Sequence, residues 1–310
     1  MNSLRRIAPL LVLALLAAAA RPAAAQQDRK LTLAAYNVEN MFDVFDNPYT
    51  DDEQTDVKRR DEIEAIAAAV KHTNADVIAF SEVENEGVLR AMVSEFLADQ
   101  GYTYFACLPG NSGRGISLAV VSRVPIRSMT SHRYLDFTLP GQTRQWRFAR
   151  DLLRVDLTVP EAPGGVLHLF VVHLKSKHDS DGDPDSANWR LAEATMAGKL
   201  ISDIETAERD PWIAIVGDFN DLPDSAPLAA FMGTGDGQPG LVDAHADLPT
   251  DQRITYLKQP YRSTIDYVLV SPALHKQLDH AGVVSDPELL KGSDHAPLWA
   301  TFNLPSSAAR

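Results

Sequence analysis

The residues able to do chemistry gather where apolar runs end. The run at 212–216 closes on Gly217-Asp218-Phe219-Asn220-Asp221. In an extended backbone Asp218 and Asn220 share a face, an acceptor beside a donor. A second run, 76–81, closes on Glu82, and a third closes on Asn37 and Glu39, again two apart. His173 ends the run that starts at Val171 and is followed by Lys175 and Lys177. Asp266 opens a run where alternation calls for a core residue, and Ser293-Asp294-His295 stands just before the last one. Taken singly, each of these is an ordinary turn, cap or surface group. Taken together, they offer hard oxygen ligands (Glu82, Asp218, Asp294), amides (Asn37, Asn220), two imidazoles and a spare acid. Carboxylates without cysteine suit Mg²⁺, Mn²⁺ or Ca²⁺ rather than a structural zinc. Such an ion with a His–Asp pair is the equipment for in-line attack of water on a phosphate ester. The sequence holds no covalent-nucleophile motif, no glycine-rich phosphate loop with its lysine and no H-E-x-x-H.

Positioning six strand ends requires many strands. Apolar, turn-bounded runs at 32–38, 77–83, 102–108, 116–122, 152–159, 167–174, 212–217, 265–270 and 298–302 read as strands. Helical periodicity marks 57–72, 86–99 and 188–204, as in Ile63, Ile66, Ala67 and Val70. Strands outnumber helices and the helices are unevenly spaced, which argues against a regular βαβ wheel. Nearly continuous apolar strands need cover on both faces. Two stacked mixed sheets flanked by helices, an α/β (α+β) sandwich, meet that need. No internal repeat is visible. Segments 42–56, 178–185 and 232–240 read as loops. In the second, Asp179, Asp181, Asp183 and Asp185 alternate as in a structural Ca²⁺ loop, although Pro184 intervenes and no Glu stands at the twelfth position.

The 310 residues are 45% hydrophobic and 23% charged, which excludes a disordered chain, a collagen and a disulfide scaffold. The net charge of −13 argues against a large cationic surface for nucleic acid and leaves room for a small basic patch. Arg5 and Arg6, the apolar run 7–20 and Ala23-Ala24-Ala25 read as a signal peptide over residues 1–25, cut before Gln26. One domain is then expected over 26–310, exported to the periplasm or the medium. The mature form would not span a membrane and implies no stable protein partner. Its charge would be −16 once Arg5, Arg6 and Arg21 are removed. Cys107 is the only cysteine, so no intramolecular disulfide can form, and its place in a strand suits packing rather than nucleophilic attack.

The motifs Asn37-Val38-Glu39-Asn40, Glu82-Val83, His173-Leu174, Gly217-Asp218-Phe219-Asn220, Ile265-Asp266-Tyr267 and Ser293-Asp294-His295 stand in the order and approximate spacing of the endonuclease/exonuclease/phosphatase (deoxyribonuclease I-like) superfamily, and the chain resembles its secreted bacterial members. The resemblance covers about residues 31–302. It implies a four-layer sandwich with the site at one end of the sheets, and divalent-metal-dependent phosphoester hydrolysis. By motif, Asn37 and Glu82 resemble the metal-side pair, and Asp218 and Asn220 the pair at the attacking water, the phosphate or a second ion. His173 resembles a phosphate-side or leaving-group residue. Asp266 resembles the acid that orients His295, His295 the general base or transition-state stabiliser, and Asp294 a further acid near the ion. Arg150 stands where such proteins have a phosphate-contacting arginine. The acidic segment 42–56 is longer than usual for the family.

A secreted nuclease acting on DNA or RNA with Mg²⁺ or Mn²⁺ is the reading these features favour. Lys175 and Lys177, with Arg190 at the start of the next helix, would hold the substrate backbone. A phospholipid or inositol-phosphate esterase of the same fold is the alternative, with Ile254, Tyr256, Leu257 and Tyr261 as its only lipid-facing candidates. A non-catalytic binding protein is the third reading, and the presence of Asp218, Asn220, Asp294 and His295 speaks against it.

Overall fold

The computed structural model describes residues 29–305 apart from 181, 234 and 236. The expected signal peptide at 1–25 lies outside the described residues. Fourteen strands follow in chain order: β1 (Lys30–Met41), β2 (Val77–Val83), β3 (Tyr104–Leu108), β4 (Ser117–Ser122), β5 (Ile126–Ser131), β6 (Phe137–Thr138), β7 (Gln145–Trp146), β8 (Leu152–Thr158), β9 (Val166–His173), β10 (Trp212–Asp218), β11 (Val242–Asp243), β12 (Asp266–Val270), β13 (Leu278–Val283) and β14 (Leu298–Asn303). The helices are α1 (Arg60–Thr73), α2 (Glu86–Phe96), α3 (Ala187–Ala207), α4 (Ala226–Met232) and α5 (Pro272–His275).

Two six-stranded mixed sheets carry the fold, in the orders β13-β14-β1-β2-β4-β3 and β11-β12-β10-β9-β8-β5. Only the central pairs, β1 with β2 and β9 with β10, run parallel. The two sheets share one pattern. Taking β13, β14, β1, β2, β3 and β4 onto β5, β8, β9, β10, β11 and β12 preserves both chain order and strand neighbours. The repeat is invisible in sequence because it is circularly permuted and only the pairing is kept.

The inner faces pack on each other through Leu33, Val120, Val155, Leu169, Val216, Val268 and Ala300. The outer face of the first sheet carries α1 and α2 through Ile66, Val70, Leu89 and Val93 against Tyr36 and Phe80. The outer face of the second carries α3 and α4 through Ala197, Ile201 and Phe231 against Ile215 and Phe219. The result is the expected four-layer α/β/β/α sandwich. Strands β9 and β10 are buried at every residue, because sheet and helix cover their two faces. Among the described residues no helix is long and apolar enough to cross a membrane.

The expected elements missed β5 and β13, edge strands with no fully buried residue, which include the exposed Arg127, Asp279 and His280. An edge strand has little buried face, so its hydrophobic alternation is weak. The short helices α4 and α5 were missed too. Among the described residues, the alternating acids at 178–185 do not converge as the calcium-loop pattern suggested. Asp183 is buried, and its carboxylate accepts the backbone N–H groups of Asn188 and Trp189 at 3.0 and 2.9 Å, at the start of α3. This is the role of an acid at a helix N-terminus. Asp179 accepts the N–H of Asp185 at 2.9 Å, and residue 181 is outside the described set. Cys107 packs against the α1/α2 layer, and burial pushes its thiol up to about 12.

Candidate active site

Register explains half of the site. Across the second sheet His173 stands opposite Asp218, and Asp218 opposite Asp266. Three neighbouring strands thus end on an imidazole and two carboxylates in one row. The first sheet supplies Asn37, where the regular register of β1 with β2 breaks, Glu82 near the end of β2, and Asp294 and His295 just before β14. The repeated topology pairs the donors: β1 and β2 deliver Asn37 and Glu82 as β9 and β10 deliver His173 and Asp218.

Left-handed backbone aims several of these groups. Glu39, Asn40, Glu82 and Asn220 have φ of 47, 57, 64 and 52°. Such values are uncommon outside glycine and cluster at functional sites. Asp218 and Asn220 therefore meet through a turn and not through the pleat that their spacing suggested. The Asn220 N–H donates to Asp218 Oδ1 at 2.8 Å, and its amide nitrogen donates to the Leu174 carbonyl at 3.0 Å. Gly217, at φ 128°, lets β10 approach β9, since a Cβ there would lie 2.1 Å from the Val172 carbonyl oxygen.

Two side-chain hydrogen bonds tie the sheets together at the site; in the first, Asn37 Nδ2 donates to Asp218 Oδ2 at 3.0 Å. Asn37 Oδ1 accepts the Glu39 N–H at 3.1 Å. Asn37, expected on the metal side, orients Asp218, which was expected there too. His295 Nδ1 bonds Asp266 Oδ2 at 2.8 Å, and its Nε2 lies 3.9 Å from both Asp218 Oδ2 and Asp294 Oδ1. His173 Nε2 lies 3.5 Å from Asp218 Oδ2 and 3.9 Å from Glu82 Oε1, while its Nδ1 is buried without a partner. That pattern favours the Nε2–H tautomer.

The two imidazoles are driven apart. Burial alone would lower His295, but the charge and hydrogen bond of Asp266, with Asp218 and Asp294, raise it to about 10. Burial, reinforced by Arg150, His295 and Arg114, pushes His173 well below the usual histidine range. Asp218 is raised by its own burial and then by Asp266. The surrounding carboxylates thus favour the cation at His295, and burial favours the neutral ring at His173.

Arg150, just before β8, is buried, and its Nη1 donates to the Leu174 carbonyl at 3.3 Å. Burial lowers its pKa, which the charges of Glu193, Glu82 and Asp218 oppose. Arg190 and the lysines do not form the expected patch. Arg190 is buried, its Nε donating to Asp221 Oδ2 at 2.8 Å and its Nη1 to the carbonyls of Asp185 and Lys175. Lys177 pairs with the same Asp221 at 3.0 Å, and Lys175 lies with its Nζ 5.6 Å from the Trp189 ring. A long arginine on a helix is counted as surface until a buried acid, here Asp221, claims it.

Glu39 ends the first apolar run as the sequence suggested, whereas Lys58 and Arg114 escaped it. Glu39 accepts the Asp294 N–H at 2.9 Å, and buried Lys58 donates to the Glu39 carbonyl at 2.8 Å. Arg114 Nη2 lies 3.9 Å from Glu82 Oε1; a cation between Gly113 and Gly115 was the signal available for it. Tyr256, weighed as a lipid contact, lies beside His295 with ring centroids 5.1 Å apart and the rings tilted by 54°.

The two stacked sheets that end on this row have counterparts among known proteins. The profile of the Endonuclease/Exonuclease/phosphatase family matches residues 32–294. The chain belongs to that family. Among curated proteins none matches the sequence. Among solved structures, the catalytic domain of human Nocturnin with bound sulfate is 17% identical, with a TM-score of 0.62 over 90% of this chain and 96% of that one. A family protein from Bacteroides thetaiotaomicron is 18% identical, at 0.61 over 90% and 99%. TDP2 of D. rerio complexed with single strand DNA product is 19% identical, at 0.59 over 89% and 100%. At such identities these likenesses speak for the fold.

Proposed function

We propose that this protein is an exported, divalent-metal-dependent phosphodiesterase that hydrolyses nucleic acid by in-line attack of water. The observation that carries the reading is the opposed pair of histidines around Asp218. A buried imidazolium, held by Asp266, can donate to a phosphoryl or leaving oxygen, while a neutral imidazole near the same Asp218 oxygen can donate without adding charge. Arg150 supplies a further fixed cation toward a phosphate. The donor set fits a hard cation. Glu82 and Asp294 add carboxylates beside an Asp218 whose charge is disfavoured by burial and by Asp266, and no thiol is present. When bound, Mg²⁺ or Mn²⁺ would polarise the phosphate and favour hydroxide at neutral pH. Asn37 and Asn220 fix the two oxygens of Asp218. The D. rerio TDP2 complex with single strand DNA supports a nucleic-acid substrate within this fold.

The test is a phosphoester panel (plasmid, RNA, sphingomyelin, inositol phosphates and bis-p-nitrophenyl phosphate) with Mg²⁺, Mn²⁺, Ca²⁺ or EDTA. Metal-dependent cleavage of nucleic acid is expected. Activity that survives EDTA would overturn the metal assignment. A phospholipid substrate has one observation in its favour: Val44, Phe45 and Tyr49 on the acidic loop are 73%, 77% and 92% exposed. Cleavage of sphingomyelin with binding to liposomes would favour it. Export predicts a mature N-terminus at Gln26, which N-terminal sequencing of secreted protein would read.

A further inference from the structure

Beside the candidate active site lies a cleft of about 480 Å³, lined by Arg144, Trp146, Arg147 and Trp189 among others. It is joined to the site covalently and by hydrogen bonds. Residues 147–149 line it and Arg150 follows them directly. Buried Glu193 accepts the backbone N–H groups of Ala149 and of Lys175, both at 2.6 Å, and so fixes the wall of the cleft to the strand end that carries His173.

Aromatic rings and cations alternate along this flank. Lys175 Nζ lies 5.6 Å from the Trp189 ring, Trp189 meets Trp146 edge-on at 4.6 Å, and Arg144 sits 4.5 Å over Trp146. Beyond them Tyr134, 64% exposed, stands between Arg133 at 4.5 Å and Arg147 at 5.5 Å. Trp146 is buried and braces Trp189, which is half-buried at the cleft wall. Arg147 pairs with Asp136 at 2.7 Å on the same cleft, and the four cations Arg133, Arg144, Arg147 and Lys175 outnumber that acid on a chain of net charge −13, which suits a phosphate backbone. Rings with flexible cations are the usual platform for unpaired bases, which expose a π-face that a duplex hides.

We propose that this cleft is a subsite for a single-stranded stretch of polynucleotide, in which a base stacks on Trp189 and the flanking phosphates meet Arg144 and Lys175. The assignment rests on the nucleic-acid reading above and adds that the strand entering past Arg150 is unpaired. It gives Lys175 a place in substrate binding while leaving Lys177 and Arg190 to the Asp221 cluster.

The experiment is equilibrium binding of the full chain, in EDTA so that nothing is cleaved, to a fluorescein-labelled 12-nucleotide oligothymidylate and to a 12-base-pair duplex. The wild type is expected to bind the single strand more tightly and to show quenching of tryptophan fluorescence. Trp189→Ala is expected to weaken single-strand binding about tenfold. Arg144→Ala, at an exposed position outside the core, is expected to lower the log–log salt slope by about 0.7. Tyr134→Ala, at the exposed end, serves should Trp189→Ala fail to fold, and is expected to weaken single-strand binding several-fold. Single-strand binding by the wild type that is no tighter than duplex binding, or variants that bind as the wild type does, would overturn the subsite. Equal losses on strand and duplex would also overturn it, since they mark a general polyanion surface. Failure of the hydrolase reading would show separately, as no cleavage of any diester with metal.

Discussion

His295 and Asp266 form one unit, because the 2.8 Å bond both fixes the imidazole and raises its pKa. Loss of either should lower kcat by about 10²–10⁴-fold. The double variant His295→Ala with Asp266→Asn should cost little more than His295→Ala alone, and a product of the two separate losses would show them to be independent. A second histidine serves stability instead. His168, at the far end of β9, bonds Asp156 at 2.8 Å and Glu208 at 3.2 Å. Burial alone would lower its imidazole, but those two carboxylates raise it. A group raised in the folded state stabilises fully below its unfolded pKa near 6.5 and loses that contribution as pH climbs through the folded value. His168→Gln should therefore lower Tm more at pH 6 than at pH 9, with about 1.5–3 kcal/mol lost at the acid end for the charged hydrogen bonds. A deficit that grows with pH would reverse the assignment.

At the level of elements, the close approach of β9 and β10 governs the row His173–Asp218–Asp266. Gly217 holds that approach in a backbone region that side chains rarely enter, with the Val172 carbonyl where a Cβ would stand. Gly217→Ala should cost about 3 kcal/mol or more, from strain and displacement of the paired strand. The measurable outcome is a Tm lower by about 6 °C or more. Activity should fall as well, since Asp218 is the next residue. A neutral outcome would mean that the parallel pair tolerates separation at this end.

Over the whole molecule, charge is distributed in a way that composition hides. Arg190 is counted as a surface cation in the sequence, but its place is a buried ion pair with Asp221, at 2.8 Å. Arg190→Met leaves Asp221 with the exposed Lys177 as its cation and should cost about 3–5 kcal/mol of stability. At a temperature where the variant remains folded, the salt dependence of DNA binding should be unchanged. A flattened slope would return Arg190 to the substrate surface. Lys177→Ala should have a small effect on stability, about 1 kcal/mol or less, because an exposed partner is screened.

Much of this was legible from residues alone. The strands that carry the site are long, apolar and closed by polar groups, since burial on both faces leaves a period-free apolar run that must end where the sheet meets solvent. Their number and uneven helices sufficed for the layered sandwich, and the strand-end residues sufficed for the set Asn37, Glu82, His173, Asp218, Asp266, Asp294 and His295. Tertiary structure decided the rest. Which of these groups face each other depends on strand register and on left-handed turns at Glu82 and Asn220, and neither leaves a periodic trace in sequence. The states of His173 and His295 depend on which charges surround each ring after folding. Arg190, Lys177 and Lys175 look alike in a chain of letters, and only the placement of Asp221 and Trp189 sends two of them to an ion-pair cluster and one to the flank of the site.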